Sequence, residues 1–352
     1  MTEKKDIRAL SLEQLRDYFV HVGEQAFRGN QVYEWLWQKG AHDFSAMTNL
    51  SEQLRTKLNE AFVINHIAVD VMQKSSDGTI KNSVKLHDGL VVESVLIPTD
   101  NRTTACVSSQ VGCSLNCSFC ATARLKRMRN LNPDEIFDQV VAIDRQSKLY
   151  YQRPLSNIVF MGMGEPLMNY PNVLKSIHKI TGDDGLGMSP KRITLSTSGV
   201  PKMIKKFADD ATRCKLAVSL HSAISEKRKK IMPFTEQFSL EDVMEAMQYW
   251  YATTGSKITF EYVVWKGIND TKTDALALVN YAKKVPCKIN IIEYNSIDDP
   301  RFVQAEPEAI ELYRNLLQQN HIDVFVRKSR GKDIDAACGQ LANKNSELTE
   351  AS

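Results

Sequence analysis

Six stretches that read as β-strands recur through the middle of the chain with helical sequence between them, and this alternation constrains the fold more than any other feature. They are Thr103 to Ser109, Asn157 to Gly162, Arg192 to Ser198, Lys215 to His221, Lys257 to Val264 and Lys288 to Tyr294. The helices between them carry start signals: Asn132-Pro133 opens one, Ser239 with Asp242 opens another, and Asp274 to Lys284 spans a third. β/α units in series imply a parallel sheet. Six strands are too few to close an eight-stranded barrel, so the expected fold class is α/β with a partial (β/α)6 barrel. A strand-like segment, DVFVRKS, follows it.

In such folds chemistry collects at the carboxyl ends of the strands. The notable motifs fall there. The loop from Cys113 to Cys120 follows the first strand and GMGEP the second; STSG closes the third, SLHS the fourth, and Tyr294-Asn295 the sixth.

The chain of 352 residues is long enough for about two domains. Residues 1–66 form a small helical module: Ser11 with Gln14 resembles a capping box, and Ser51 begins SEQLRTKLNEAF with apolar residues at helical spacing. Trp35 and Trp37 within it could stack on bases, but their helical context favours core packing. Residues 67–98 read as a β-meander linker, with hairpin signals at Asp77-Gly78 and Asp88-Gly89. Residues 99–340 are expected to form the core that holds the β/α units, and 341–352 a polar tail.

A formal charge of +3 is too small to point to nucleic acid, so only local clusters of Lys and Arg can carry that argument. No apolar run approaches a membrane span, and MTEKKDIRAL lacks a signal-peptide core. The expectation is a cytoplasmic monomer with no membrane contact. Seven cysteines there point to metal or redox chemistry rather than to a structural disulfide framework.

Cys113, Cys117 and Cys120 have Cys-x3-Cys-x2-Cys spacing with no fourth cysteine nearby. An iron-sulfur cube normally takes four thiolates, so this loop would leave one iron open to a ligand. A zinc knuckle is the competing reading, but zinc favours four closed ligands and no histidine lies in the loop.

CVSSQVGCSLNCSFCAT, FMGMGEPLMN, ITLSTSGV, VSLHS and DIDAACGQL, in this order and spacing, resemble the RlmN/Cfr family of radical S-adenosylmethionine (SAM) RNA methyltransferases. AFRGNQVYEWLW resembles the amino-terminal domain of that family, so the likeness covers nearly the whole chain. It implies a radical SAM barrel with one 4Fe-4S cluster on Cys113, Cys117 and Cys120, whose open iron chelates S-adenosylmethionine. Gly164 and Glu165, Ser196, Ser219, Leu220, His221 and Asn295 are implied cofactor contacts. Two segments depart from the family pattern: ATARLKRMRNL after the third cluster cysteine and SIDDPRF after Asn295.

By the same resemblance Cys338, set among small residues in a mobile loop, accepts a methyl group from one S-adenosylmethionine. A second is cleaved to a 5'-deoxyadenosyl radical that activates this methyl, so two are consumed per turnover. The activated carbon adds to adenine and joins RNA covalently to Cys338. Cys106 then resolves the adduct through a transient disulfide, and Glu93, thirteen residues before it, is the general base. The implied products are C2-methylated adenosine 2503 of 23S ribosomal RNA and adenosine 37 of transfer RNAs, made with electrons from a reducing donor. Pro166 in GMGEP favours this branch over the C8-methylating resistance branch. A non-catalytic iron-sulfur RNA-binding module is the reading from another class, but it would have no use for Cys106 or Cys338. Arg124 to Arg129, Lys227 to Lys230 and Arg327 to Lys332 are the basic runs expected to rim the site and meet phosphates.

Overall fold

A computed structural model describes residues 4–343; most of the expected polar tail therefore lies outside the described residues. At the amino end β1 (Lys5–Asp6) precedes α1 (Leu12–His21), α2 (Phe27–Trp37) and α3 (Glu52–Ala61), and β2 (Phe62–Val63) returns to pair in parallel with β1. The Ser11/Gln14 capping box forms at the start of α1, each side chain satisfying the other residue's backbone N–H. α1 buries Leu15 and Phe19. Gly29 of α2 is required by contact with α1, since a Cβ there would stand 2.7 Å from the Arg16 nitrogen.

After the helices come β3 (Ala68–Lys74), β4 (Ile80–Lys85), β5 (Val91–Thr99), β6 (Arg102–Cys106) and a small hairpin of β7 (Gln110–Val111) with β8 (Arg129–Asn130). Next are α4 (Pro133–Tyr151), β9 (Asn157–Phe160), α5 (Tyr170–Thr181), β10 (Ile193–Thr197), α6 (Pro201–Asp209) and β11 (Lys215–Ser219). The chain continues through α7 (Ser225–Ile231), α8 (Leu240–Thr254), β12 (Ile258–Val263), α9 (Lys272–Ala282), β13 (Cys287–Ile292), α10 (Pro307–Gln319) and β14 (Asp323–Arg327). The Asn132/Glu135 and Ser239/Asp242 capping boxes start α4 and α8.

Ten strands make one sheet in the order β14-β13-β12-β11-β10-β9-β6-β5-β4-β3. From β6 to β14 all pairs are parallel: the six expected strands are present, and DVFVRKS supplies a seventh. The meander continues this sheet, because β5 pairs antiparallel with β6 through a turn at Asp100-Asn101. Beyond β14 the loop bends back to the β3–β4 hairpin: Ser75 Oγ and the Ser76 N–H donate to Asp333, and the Gly331 N–H donates to Asp77. This loop contact links the two outer ends of the curled sheet.

Alternation along β12 shows how the barrel wall is built. Phe260 meets Tyr281 of α9 and Tyr262 meets Tyr313 of α10, so this face packs on helices. Glu261 and Val263, on the other face, line the barrel interior.

The helical module docks on α4. Trp37 stands edge-on to Phe137 with ring centroids 5.2 Å apart, and Arg8 is buried against Asp138 at 2.7 Å and Asp134 at 3.3 Å. Trp37 is thus a core residue. The Trp35 indole N–H donates to Asn49 at 2.7 Å.

Candidate active site

The cysteine loop leaves the sheet just past β6. The β7–β8 hairpin closes its base, and Gly112, at φ +74°, lets it pass Lys126, whose carbonyl oxygen a Cβ would approach to 2.5 Å. The Ser118 N–H donates to the Ile231 carbonyl at 2.9 Å, and the Ala121 N–H to that of Gly339 at 2.7 Å. Cys113, Cys117 and Cys120 line one cavity at the strand ends, together with Gly164, Glu165, Ser196, Ser219, Glu261, His221, Glu293, Asn295 and Cys338. Burial pushes the Cys113 thiol up to about 11 and also raises that of Cys117 well above its ordinary value. A bound cation would reverse this.

The turn after β9 is shaped by close approach. A Cβ on Gly164, at φ +94°, would lie 2.5 Å from the Gln110 side chain, and one on Gly162 would lie 2.7 Å from the Val107 carbonyl. Glu165 is buried, and its oxygens accept from the N–H groups of Leu167 at 3.1 Å and Ser198 at 2.8 Å. Burial raises its pKa against the pull of those bonds. It ties the ends of β9 and β10 together and keeps lone pairs for a ligand.

His221 is in the left-handed region, at φ +55°. Its Nδ1 accepts from the Val263 N–H at 3.1 Å, so Nε2 carries the hydrogen of the neutral ring. Burial drives its pKa down to about 3. Phe119 and Trp265 flank it. Leu220 does not reach the cavity wall; it is fully buried, and its carbonyl accepts from buried Arg228 at 3.1 Å. The Asn295 amide donates to the Cys338 carbonyl at 3.3 Å, and its Oδ1 is buried without a partner.

A second cavity adjoins the first. Cys106, Cys120, Thr122, Met161, Gly162 and Cys338 line it, with Arg102, Arg327, Lys328 and Arg330. Cys338 and Cys106 therefore face a common space. No disulfide joins them: all seven cysteines are free, correcting the expected disulfide for this state of the chain, and burial keeps the Cys106 thiol protonated by raising its pKa far above the ordinary value. Cys338 is exposed to the cavities, yet surrounding protein raises its pKa as well.

Glu93 is not brought to either cavity. On β5 it is buried, within 3.3 Å of Lys81, and its Oε2 accepts from the backbone N–H groups of Ala342 and Asn343 at 2.7 and 3.1 Å. The carboxyl-terminal segment covers it. The basic runs also divide. Arg129 is held by Glu135 and Asp88, Lys227 by Asp274, and Arg228 is buried, while Arg327, Lys328 and Arg330 line the second cavity. The two segments that depart from the family pattern meet: Arg124 donates to the Ile297 carbonyl at 3.0 Å and to Asp299 at 2.9 Å.

Glu261 was not singled out from sequence. Its signal was available as a carboxylate in the inward phase of a buried strand.

The residues fit a cluster. Among the described residues no group of three or more His, Cys, Asp or Glu side chains converges as for a single metal ion. A cube takes its ligands one per iron, and the three thiols that one loop places on the cavity wall match that need; the fourth cysteine there, Cys338, comes from a separate loop. The orphaned Asn295 oxygen and the glycine turn leave polar and steric room for a ligand beside them.

The parallel barrel and three-cysteine loop define a radical SAM protein, and residues 107–279 match the model of the radical SAM superfamily. Residues 5–64 match the ribosomal RNA large subunit methyltransferase N-terminal domain. The chain is 70% identical over 342 residues to the "Probable dual-specificity RNA methyltransferase RlmN" of Christiangramia forsetii, covering 97% of each chain. It is 40% identical to the dual-specificity RNA methyltransferase RlmN of Geotalea uraniireducens, over 97% of this chain and 98% of that one. The crystal structure of a radical SAM methyltransferase from Sphaerobacter thermophilus superposes with a TM-score of 0.90 at 35% identity, covering 96% of this chain and 99% of that one. The chain belongs to the RlmN family. No helix among the described residues is long and apolar enough to cross a membrane.

Proposed function

We propose that this chain methylates C2 of adenine in RNA, at adenosine 2503 of 23S ribosomal RNA and adenosine 37 of transfer RNAs, with Cys338 carrying the methyl group. The observation that supports this most is the position of Cys338 on the wall of two cavities, one with the three cluster cysteines and the other with Cys106 and four basic side chains.

Cys113, Cys117 and Cys120 hold three irons of a 4Fe-4S cluster. With S-adenosylmethionine it supplies the methyl group and the one-electron chemistry that activates it. Gly164 and Glu165 receive the amino-acid end of the cofactor, and Ser196, Ser219, the Leu220 backbone, His221 and Asn295 receive the rest. A neutral His221 can donate from Nε2 without adding charge. Cys338 must be a thiolate to accept methyl, since the thiol is a poor nucleophile. Arg102, Arg327, Lys328 and Arg330 bind phosphates around a base drawn out of its stack, and residues 1–66 add RNA contacts. Cys106 releases the RNA from Cys338. Glu93 serves as base once residues 342–343 leave its carboxylate. Electrons come from a reducing partner.

Replacing Cys106 with Ala is expected to leave RNA covalently bound to the chain, seen as a shifted band on a denaturing gel. Recovery of free, normally methylated RNA would overturn the role of Cys106. Digestion of product RNA from the native chain should yield 2-methyladenosine; 8-methyladenosine would overturn the regiochemistry.

A further inference from the structure

Three carboxylates line the cluster cavity, Glu165, Glu261 and Glu293, and among the described residues no lysine or arginine lines it. Two of the three are already engaged. Glu165 accepts two backbone N–H groups, and Glu293 accepts from the Ser329 N–H at 3.2 Å and pairs with Lys332 at 2.5 Å. Glu261 differs. Its Oε1 accepts from Asn290 at 2.9 Å, but its Oε2 is buried with no hydrogen-bond partner. Arg327, its ion-pair neighbour, stands 3.8 Å away, and the residue is only 3% exposed.

A buried carboxylate oxygen in this state is costly unless a cation or a donor meets it. Burial raises the pKa of Glu261 against Arg327, Asn290 and Lys288, which favour the anion. The register pairs Ser219 with Glu261 and Glu261 with Asn290, so the carboxylate is central in a polar row across three strands. Cys338 shares its cavity; its thiol pKa is raised first by burial and further by the Glu261 charge.

We propose that Glu261 selects the charge state of the bound cofactor, favouring the sulfonium of S-adenosylmethionine over the neutral thioether left after methyl transfer. The inference rests on the cluster cavity being the S-adenosylmethionine site. The two ligands differ by one methyl group and one positive charge at sulfur. An anion in a poorly solvated wall stabilises the sulfonium and gives the thioether nothing comparable. A reaction that consumes two S-adenosylmethionine molecules must release the first thioether before the second donor enters, and this carboxylate biases that exchange.

The test is equilibrium dialysis of cluster-loaded, full-length protein against S-adenosylmethionine and S-adenosylhomocysteine, in a Cys338→Ala background so that methyl transfer consumes neither ligand. The sulfonium should bind at least about tenfold more tightly than the thioether. Glu261→Gln should reduce that ratio by about tenfold, chiefly through weaker sulfonium binding, while Glu261→Asp retains most of it. Equal weakening of both ligands would mean that the carboxylate reads an uncharged donor common to both, and would overturn the inference, as would no change in either. If Glu261→Gln does not fold, the chain with Glu261 intact still decides, since equal affinity for the two ligands overturns the selection. Failure to bind both ligands would overturn the site assignment and this inference with it, whereas an unchanged ratio with intact binding overturns the inference alone.

Discussion

The cluster cavity carries three carboxylates and, among the described residues, no lysine or arginine, whereas the cavity beside it carries Arg102, Arg327, Lys328 and Arg330. Cys338 borders both. A small cation suits the first and a polyanion the second, so on the proposed function the electrostatics would sort the two substrates before any base is read. The separation is produced by position on the barrel. Of the acidic side chains, Glu261 comes from within β12 and Glu293 from just past β13, and three of the four basic ones come from the last strand and the loop after it. Net charge, at +3, conceals this division.

Breaking one side of the contrast should leave the other intact. The largest effect is expected from Cys117→Ala, which should abolish the iron-sulfur absorbance and all methylation while leaving RNA affinity within about twofold, because phosphate contacts belong to the other cavity. Absorbance spectra and filter binding check both halves. Next, reversing Arg102 and Arg330 together to Glu should weaken RNA binding by about a hundredfold and reduce the salt dependence of log K by about two units, with cluster loading unchanged. Titrations at several salt concentrations read the slope.

The smallest effect concerns His221. Its folded pKa, about 3, lies below its unfolded value near 6.5. The unfolded chain therefore binds the extra proton between these values. The native chain gains stability as pH rises through this window and loses it as pH falls below the unfolded pKa. The slope from this residue approaches about 1.4 kcal/mol per pH unit. Urea unfolding at pH 7 and pH 5.5 should show a smaller loss for His221→Gln than for the native chain.

Local signals were legible from sequence because their chemistry is local. Ser11 with Gln14, Asn132-Pro133 and Ser239 with Asp242 each satisfy helix-start N–H groups within a few residues, and all three mark helix starts in the structure. The barrel strands were legible from their apolar runs and spacing. The continuation of the meander into the same sheet was not, because it depends on β5 finding β6 rather than on composition. Glu93 shows the same limit. Its place in β5 follows from sequence, but the cover from Ala342 and Asn343 is a contact across about 250 residues. Glu261 went unnoticed because Thr259 and Glu261 alternate with Ile258, Phe260 and Tyr262 as the polar face of a half-solvated strand would, whereas every residue of β12 is buried. The opposing charges of Arg124 and Asp299 lie far apart in the chain, and only folding shows that the two departures from the family pattern form one contact.

The loop that bears Cys338 is fastened on both sides. Before it, Asp333 is bound by Ser75 and Ser76; after it, the Leu341 carbonyl accepts from Thr122 at 2.7 Å and Glu93 holds Ala342 and Asn343. The span between these ties is held as well, since Asn295 donates to the Cys338 carbonyl and the Ala121 N–H to that of Gly339. Any travel of the sulfur in the proposed cycle would first have to break those two bonds, so its reach would depend on them as much as on loop length.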